Sequence, residues 1–310
     1  MAASSASRIL IPGCNGQVGW ELQRTLSRLG EVTAVQREQM DLASADSIRA
    51  CVRAAQPTLI VNAAAYTAVD KAESEPELAQ AINATAVGVL AEEAKRLGAA
   101  MIHYSTDYVF DGSKPTPYVE SDATNPLSVY GKTKLAGEQV LASAGIPYLT
   151  LRTSWVYGAR GRNFLLTILK LAAEKPELRI VADQIGAPTS AREIAMATAA
   201  IVQHWLAGDA AQRSGIYHLT AAGSTTWYGF AEEALRLRKE LRPREAQQWA
   251  KLTAISTAEY PTPAARPKNS QLNCEKLAQA FSICMQDWKS ALASVMQEVD
   301  ANATTMQSAT

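Results

Sequence analysis

The chain has 310 residues, enough for one large α/β unit or two moderate ones, and is 47% hydrophobic and 19% charged, the make-up of an ordinary globular protein. Its 30 basic and 30 acidic side chains cancel, which removes the electrostatic case for nucleic acid or an anionic membrane as the main partner. No run approaches the roughly eighteen apolar residues of a membrane span, and the four cysteines and three histidines have no zinc-site spacing.

In chain order, the N-terminal residues 1–7 read as a flexible tail without a signal-peptide core, so a soluble cytoplasmic protein is expected. Arg8–Pro12 is a short apolar strand that runs into a glycine-rich turn and a helical pattern from Gln17 to Leu29. Strand Glu31–Val35, helix Ser44–Ala55 and strand Thr58–Asn62 follow, then a long helix over Glu77–Gly98 that stops at Gly98. Ala100–Ser105 is the next strand, Leu127–Ala144 a helix, and Tyr148–Thr153 a strand again. Such alternation predicts an α/β fold: a doubly wound parallel sheet of Rossmann type over residues 8–155.

Beyond Trp155 the alternation loosens. Helices are expected over Asn163–Glu174, Ala191–Leu206, Thr226–Leu241 and Gln286–Val299, with a proline-rich loop at Tyr260–Pro267. Residues 156–300 read as a smaller, mixed substrate-binding region, some of whose elements return to the sheet, and 301–310 as a second flexible tail.

The turn after the first strand is Gly13-Cys14-Asn15-Gly16-Gln17-Val18-Gly19, a GxxGxxG pattern. Gly13 suits the tight turn, Gly16 the close approach of a pyrophosphate, and Gly19 the packing of helix on sheet. Phosphates would sit on the free N–H groups at the helix start. Asp41-Leu42, after the second strand, is placed to meet an adenine edge, and Ala63-Ala64-Ala65, with Tyr66 and Thr67, is small enough at its start for cofactor to pass close. Taken alone, a helix cap for Asp41 and simple close packing for the alanines explain these residues equally well.

Tyr130 is the only one of ten tyrosines followed by a lysine four residues on, Lys134. On a helix the two side chains share a face. A phenol with its ordinary pKa of about 10 is a poor acid at neutral pH, and a neighbouring ammonium is expected to lower that value. The strand ending Tyr104-Ser105-Thr106-Asp107 offers a hydroxyl at the carboxyl edge of the sheet, where such folds bind ligands.

The segments GCNGQVGWELQ, VNAAAYTAVDKAESEPELAQAINA, HYSTDYVFDG, NPLSVYGKTKLAGE, RTSWVYG, DQIGAPTSA and YPTPAARPKNSQLN resemble the dTDP-4-dehydrorhamnose reductase family of extended short-chain dehydrogenases/reductases. The resemblance implies NAD(P)H-dependent reduction of the C4 ketone of dTDP-4-dehydro-L-rhamnose to dTDP-L-rhamnose, a precursor of surface polysaccharide. It implies Tyr130 as proton donor, Lys134 as its electrostatic partner and Thr106 as the hydroxyl that tunes them. It also implies Asp107 and Trp155 at the sugar nucleotide, Arg266 and Asn269 at its nucleotide end, and Gly16, Gln17, Val18, Asp41, Leu42, Ala65, Tyr66, Thr67 and Tyr104 along the cofactor.

Two departures stand out. The second strand ends at Gln36-Arg37 instead of the acid that bonds the adenosine ribose, which favours NADPH over NADH. Magnesium, which the resemblance associates with carboxylates at a dimer interface, finds Glu21 and Glu298, but Arg192 stands where a third acid would. A metal-bridged dimer is therefore not expected, and monomer and homodimer stay open. Two other readings remain: a sugar-nucleotide epimerase or dehydratase of the same superfamily, and a non-catalytic NADP-binding regulatory subunit. A dehydratase wants Asp-Glu after the threonine, whereas Thr106 is followed by Asp107-Tyr108. The intact Tyr130, Lys134 and Thr106 set weighs against a pure binding module.

Overall fold

Six strands make one parallel sheet in the order β2-β1-β3-β4-β5-β10, seen in a computed structural model that describes residues 7–204, 208, 210–243 and 249–308. The expected tail over residues 1–7 lies outside the described residues except for Ser7, as do residues 205–206 of the expected helix end and residues 309–310. The first half runs β1 (Arg8–Pro12), α1 (Gln17–Leu26), β2 (Glu31–Val35), α2 (Ala45–Ala55), β3 (Leu59–Asn62), the short α3 (Val69–Ala72) and α4 (Pro76–Gln80), α5 (Ala86–Leu97), β4 (Ala100–Thr106), α6 (Val129–Ser143) and β5 (Tyr148–Thr153). The second half runs β6 (Val156–Tyr157), α7 (Phe164–Glu174), β7 (Glu177–Val181), β8 (Ile185–Gly186), β9 (Thr189–Ser190), α8 (Ala191–His204), β10 (Gly215–His218), β11 (Thr225–Thr226), α9 (Trp227–Leu241), β12 (Lys251–Ile255), α10 (Glu275–Phe281) and α11 (Trp288–Ser308).

The sheet is buried on both faces because its strands are apolar on both. Ile9 and Ile11 of β1 join Leu22 and Leu26 of α1 and Ile194 and Ile201 of α8 on one side. Leu10, between them, joins Ile48 and Val52 of α2 and Val87 and Leu90 of α5 on the other. This period of two along the strand is what a sheet sandwiched between helices requires. Every residue of β4 is buried.

Helix starts follow local capping. Ser44, Ser128, Asn163 and Thr226 each accept a backbone N–H from the first turn of α2, α6, α7 and α9. Gly98 closes α5 at φ 66°. Three expected boundaries shift. Helix α1 stops at Leu26, three residues short, in a turn where Leu29 N–H bonds Leu26 O. The expected long helix over Glu77–Gly98 is interrupted by a π-helical stretch at Ala81–Thr85, where Asn83 turns inward to bond Tyr66 and Thr133. The last helix continues to Ser308, past the expected end at Val299.

Residues beyond β5 build three two-stranded sheets, β7 with β12, β8 with β11 and β6 with β9, over a separate apolar cluster centred on Phe230, Leu165, Trp288 and Leu292. Strand β10 returns to pair with β5.

Helix α6 is tied to β5 by an ion pair with almost no exposure. Arg152 Nη2 donates to Glu138 Oε2 at 2.6 Å and Arg152 Nε to Oε1 at 2.9 Å, with the side chains 3% and 2% exposed. Removing one member strands a buried charge. Arg152→Met is expected to cost about 3–5 kcal/mol in a urea titration, and Arg152→Met with Glu138→Leu to recover most of it.

Candidate active site

The order in which strands are added reverses between β1 and β3, and the loops after these strands part there, as ligand sites of doubly wound sheets require. Gly13 has φ +79°, and a Cβ on it would come within 2.7 Å of Ala64 Cα. Its N–H bonds Val35 O at 2.9 Å, which holds the turn open. Gly16 precedes α1 with no side chain capping the helix and no acid in its first turn, so the N–H groups there stay available to an anion. Gly19 touches the backbone of Gly13 so closely that any side chain would collide. A phosphate cradle fits these residues.

Beside the turn lies a cleft of about 300 Å³ lined by Gly13, Gln36, Arg37, Asp41, Leu42, Ala64, Ala65, Tyr66 and Thr67. Asn15 Nδ2 donates to Gln36 Oε1 across its edge. Arg37 extends into solvent, 72% exposed, with Asp41 at 3.9 Å. Asp41 does not cap α2; Ser44 does, while Asp41 Oδ1 accepts the Ala43 N–H. Tyr66 is anchored by its phenol on Glu75 at 2.7 Å. Gln17 faces the other way, accepting from Asn163 Nδ2 at 2.8 Å, and Val18 and Ala63 pack against the core beneath the turn.

Tyr130 and Lys134 lie one turn apart on α6, and the Thr106 hydroxyl is close enough to Tyr130 to act on its phenol. Tyr108 meets the Tyr130 ring edge-on at 5.9 Å. Thr106 Oγ1 in turn donates to Asp107 Oδ1 at 2.9 Å. Burial pushes the Tyr130 phenol up to about 12, the Asp107 charge adds to this, and the Thr106 hydroxyl opposes it. Lys134 is fully buried and burial pushes its ammonium down to about 8, against the pull of Glu138. Its Nζ donates to Tyr104 O at 2.6 Å and lies 3.2 Å from His103 Nε2.

The expected lowering of the phenol by Lys134 is therefore not what the protein alone displays. Loss of water outweighs the ammonium, which is turned to β4. Tyr104 is a second correction. Its phenol points to the opposite face, bonded to Thr198 Oγ1 at 2.7 Å, and it offers the cleft only its carbonyl oxygen.

Trp155 has a left-handed backbone, φ 46°, a strain of about 1–3 kcal/mol for a bulky residue. It is held by stacking on Trp227 with ring centres 3.6 Å apart, and by Gly186, where a Cβ would come within 2.5 Å of the indole. Trp227 donates to Gln184 Oε1 at 3.2 Å. The sequence reading missed Trp227 and Gln184, although Gln184 lies in the segment DQIGAPTSA that carried the resemblance. Next to them a second cleft of about 480 Å³ is lined by Phe164, Lys175, Arg179, Gln184, Trp227, Tyr260 and Arg266 among others.

Arg266 also bonds Asp70 Oδ2 at 2.8 Å, bridging α3 to the proline-rich loop. Asn269 is a third correction. Its amide is spent on the carbonyls of Lys114 and Thr116 and on the Gln271 N–H, so it secures a loop instead of facing a ligand.

Glu21, Arg192 and Glu298 line a groove of about 640 Å³ between α1 and α8, with Arg24 and Arg28. Burial and Glu298 raise the Glu21 carboxyl, and Arg24, Arg192 and Arg160 oppose them. Two carboxylates already accompanied by guanidinium groups do not suit a divalent ion, which wants a shell of six or more oxygens. Among the described residues no three of His, Cys, Asp or Glu come together.

The model for the "RmlD substrate binding domain" family matches residues 7–301. A dTDP-4-dehydrorhamnose reductase of Burkholderia thailandensis is 47% identical over 291 residues, 92% of this chain and 96% of the relative. The chain belongs to the dTDP-4-dehydrorhamnose reductase family. The solved structure of a family member from Clostridium acetobutylicum superposes with a TM-score of 0.86 at 36% identity, covering 94% of this chain and 99% of that one. A Bacillus anthracis member, solved in complex with NADP, gives 0.85 at 32% identity, covering the same shares. No helix among the described residues is long and apolar enough to cross a membrane.

Asp107 yields a test of the cleft's dryness. Burial raises its carboxyl to about 7 from an ordinary 3.8, against the lowering influence of Ser270 and of the Thr106 hydroxyl that donates to Oδ1. Between those values the native state holds a proton that the unfolded chain has lost, so stability falls as pH rises through the interval. Urea midpoints of Asp107→Asn should lack this fall. A mutant whose pH dependence matches wild type removes Asp107 as its source.

Proposed function

We propose that this chain reduces the C4 ketone of dTDP-4-dehydro-L-rhamnose to dTDP-L-rhamnose with NADPH. The observation that carries the reading is Tyr130, one turn from Lys134 on α6 and within the influence of Thr106, in a chain whose glycine turn is fit for a dinucleotide. Residues 8–155 hold the cofactor, and residues 156–300 close over the sugar nucleotide. The bound nicotinamide supplies the hydride for the carbonyl carbon.

The protein's own part is to hold and give a proton. Tyr130 hands its phenol proton to the oxygen that becomes the new hydroxyl, and Thr106 polarises the same oxygen by turning to it the hydrogen that rests on Asp107 in the free protein. A phenol that stays protonated at neutral pH suits a reduction, because the proton must be present before it is given. Lys134 stabilises the phenolate as it forms. Trp155, fixed by Trp227 and Gly186, bounds the sugar, and Arg266 faces the nucleotide end. The reaction is expected in the cytoplasm, where both nucleotides are available.

The direct test is NADPH oxidation with dTDP-4-dehydro-L-rhamnose generated in situ. Failure of every 4-keto sugar nucleotide to accelerate it, with NADPH bound, would favour a regulatory subunit. Tyr130→Phe, which removes only the donor, should lower turnover about 10²–10⁴-fold with the fold intact. Near wild-type turnover in that variant would take tyrosine out of the mechanism.

Cofactor choice rests on Arg37. The residue lines the cleft of about 300 Å³ and its guanidinium is exposed enough to meet a ribose 2′-phosphate. We expect about a ten- to a hundredfold preference for NADPH over NADH in kcat/KM, lost in Arg37→Ala with NADH use retained. Equal use of both cofactors by wild type would sink this assignment.

A further inference from the structure

Behind Lys134 lies a buried polar chain that the chemistry above does not use. Asn62, the last residue of β3, is the register partner of His103 on β4, and both are buried with Lys134. The Ala64 backbone N–H, which can only donate, bonds Asn62 Oδ1 at 3.2 Å. This decides the amide's orientation, since the flipped form would set N–H against N–H. Asn62 Nδ2 therefore faces His103 Nδ1, at 3.1 Å, as a donor. Nδ1 is then the acceptor of the ring, and a neutral imidazole must carry its hydrogen on Nε2. His103 is neutral: burial first, and the Lys134 charge second, push its pKa well below the ordinary value. Its Nε2–H points at Lys134 Nζ, 3.2 Å away.

An N–H aimed at that nitrogen needs a lone pair, which the amine has and the ammonium lacks. We propose that Asn62 locks His103 in its Nε2–H tautomer, and that this tautomer makes Lys134 give up its proton more readily than burial alone would. Asn62 and His103 are thus positioning residues that act through Lys134. The other titratable and charged groups around the cluster are Tyr130 and Glu138 on α6, Arg152 on β5, Tyr104 on β4 and Asp107 after it. Glu138 is neutralised by Arg152, and the Tyr104 phenol is turned away to Thr198. His103 is the group in direct contact whose hydrogen opposes the ammonium.

The inference rests on the reductase reading only for its kinetic consequence. There, loss of the ammonium sets the high-pH limb of kcat/KM, and releasing the lock should move that limb upward.

The test uses the full chain labelled with ¹⁵N-histidine and ¹³Cε-lysine. Only three histidines are present, and His103→Gln and Lys134→Met assign the two signals. Wild-type His103 is expected as the neutral Nε2–H form across the range where Lys134 titrates. In Asn62→Leu the lock is gone, His103 can turn its lone pair to Lys134, and the Lys134 midpoint should rise by about one unit. The high-pH limb of kcat/KM should follow it. A merely structural role would lower activity without moving either. Asn62→Asp, nearly isosteric, guards against a folding failure: its carboxylate accepts both Ala64 N–H and His103 Nδ1–H, so the tautomer should invert and the midpoint rise. An Nδ1–H imidazole in wild type overturns the proposal, and so does a Lys134 midpoint unmoved in both variants. Because the magnetic-resonance readouts need no substrate, their failure is distinct from failure of the reductase reading.

Discussion

The cleft depends on where one helix lies on the sheet, and a buried ion pair holds it there. Arg152 and Glu138 bind through three contacts of 3.2 Å or less. Each charge has its partner fixed by the backbone of a different element, β5 for one and α6 for the other. Helix α6 also presents Gly137 against the Asn83 carbonyl, an approach that no side chain would permit. Asn83 bonds Thr133 at 3.1 Å from the same stretch. These contacts hold the rotation of α6 so that Tyr130 and Lys134, rather than their neighbours, face the edge of the sheet. Buried ion pairs add little net stability, but a displaced one is costly. The pair thus acts as a constraint on position more than as a source of stability.

Once α6 is seated, the chemistry follows from dehydration. Removing water raises the acid forms of Tyr130 and Asp107 and lowers Lys134, so their values move toward or past one another. A reduction benefits from a phenol that keeps its proton until an oxyanion demands it. The same dryness makes each remaining hydrogen bond count, which is why the Thr106 hydroxyl and the His103 ring matter to groups they only touch.

Under the proposed reading, the second half of the chain contributes shape more than charge at the reacting end. Trp155 accepts an unfavourable backbone to stack on Trp227, and both are backed by an apolar cluster that includes Phe164 and Phe230. Lysine and arginine residues enter further out, where the cleft of about 480 Å³ opens. An aromatic wall with cations beyond it suits the polarity of a sugar joined to a diphosphate, the substrate class of the proposed reading.

Much of this was legible from residues near one another in the chain. The period-two strands, the glycine turn, the caps and the one-turn spacing of Tyr130 and Lys134 are local properties, set by backbone geometry within a few residues. The sequence by itself determined the sheet, the glycine turn, the one-turn spacing of Tyr130 and Lys134, and the family. It did not determine which way a side chain turns once two distant segments meet. Tyr104 went to Thr198 and Asn269 to the loop of Lys114 and Thr116, because each found a hydrogen-bond partner far away in sequence. The π stretch at Asn83, the stacking partner of Trp155 and the Asn62–His103–Lys134 chain likewise join residues 17 to 72 positions apart. Burial and pairing are properties of the packed whole, and they alone set the proton affinities on which the cleft works.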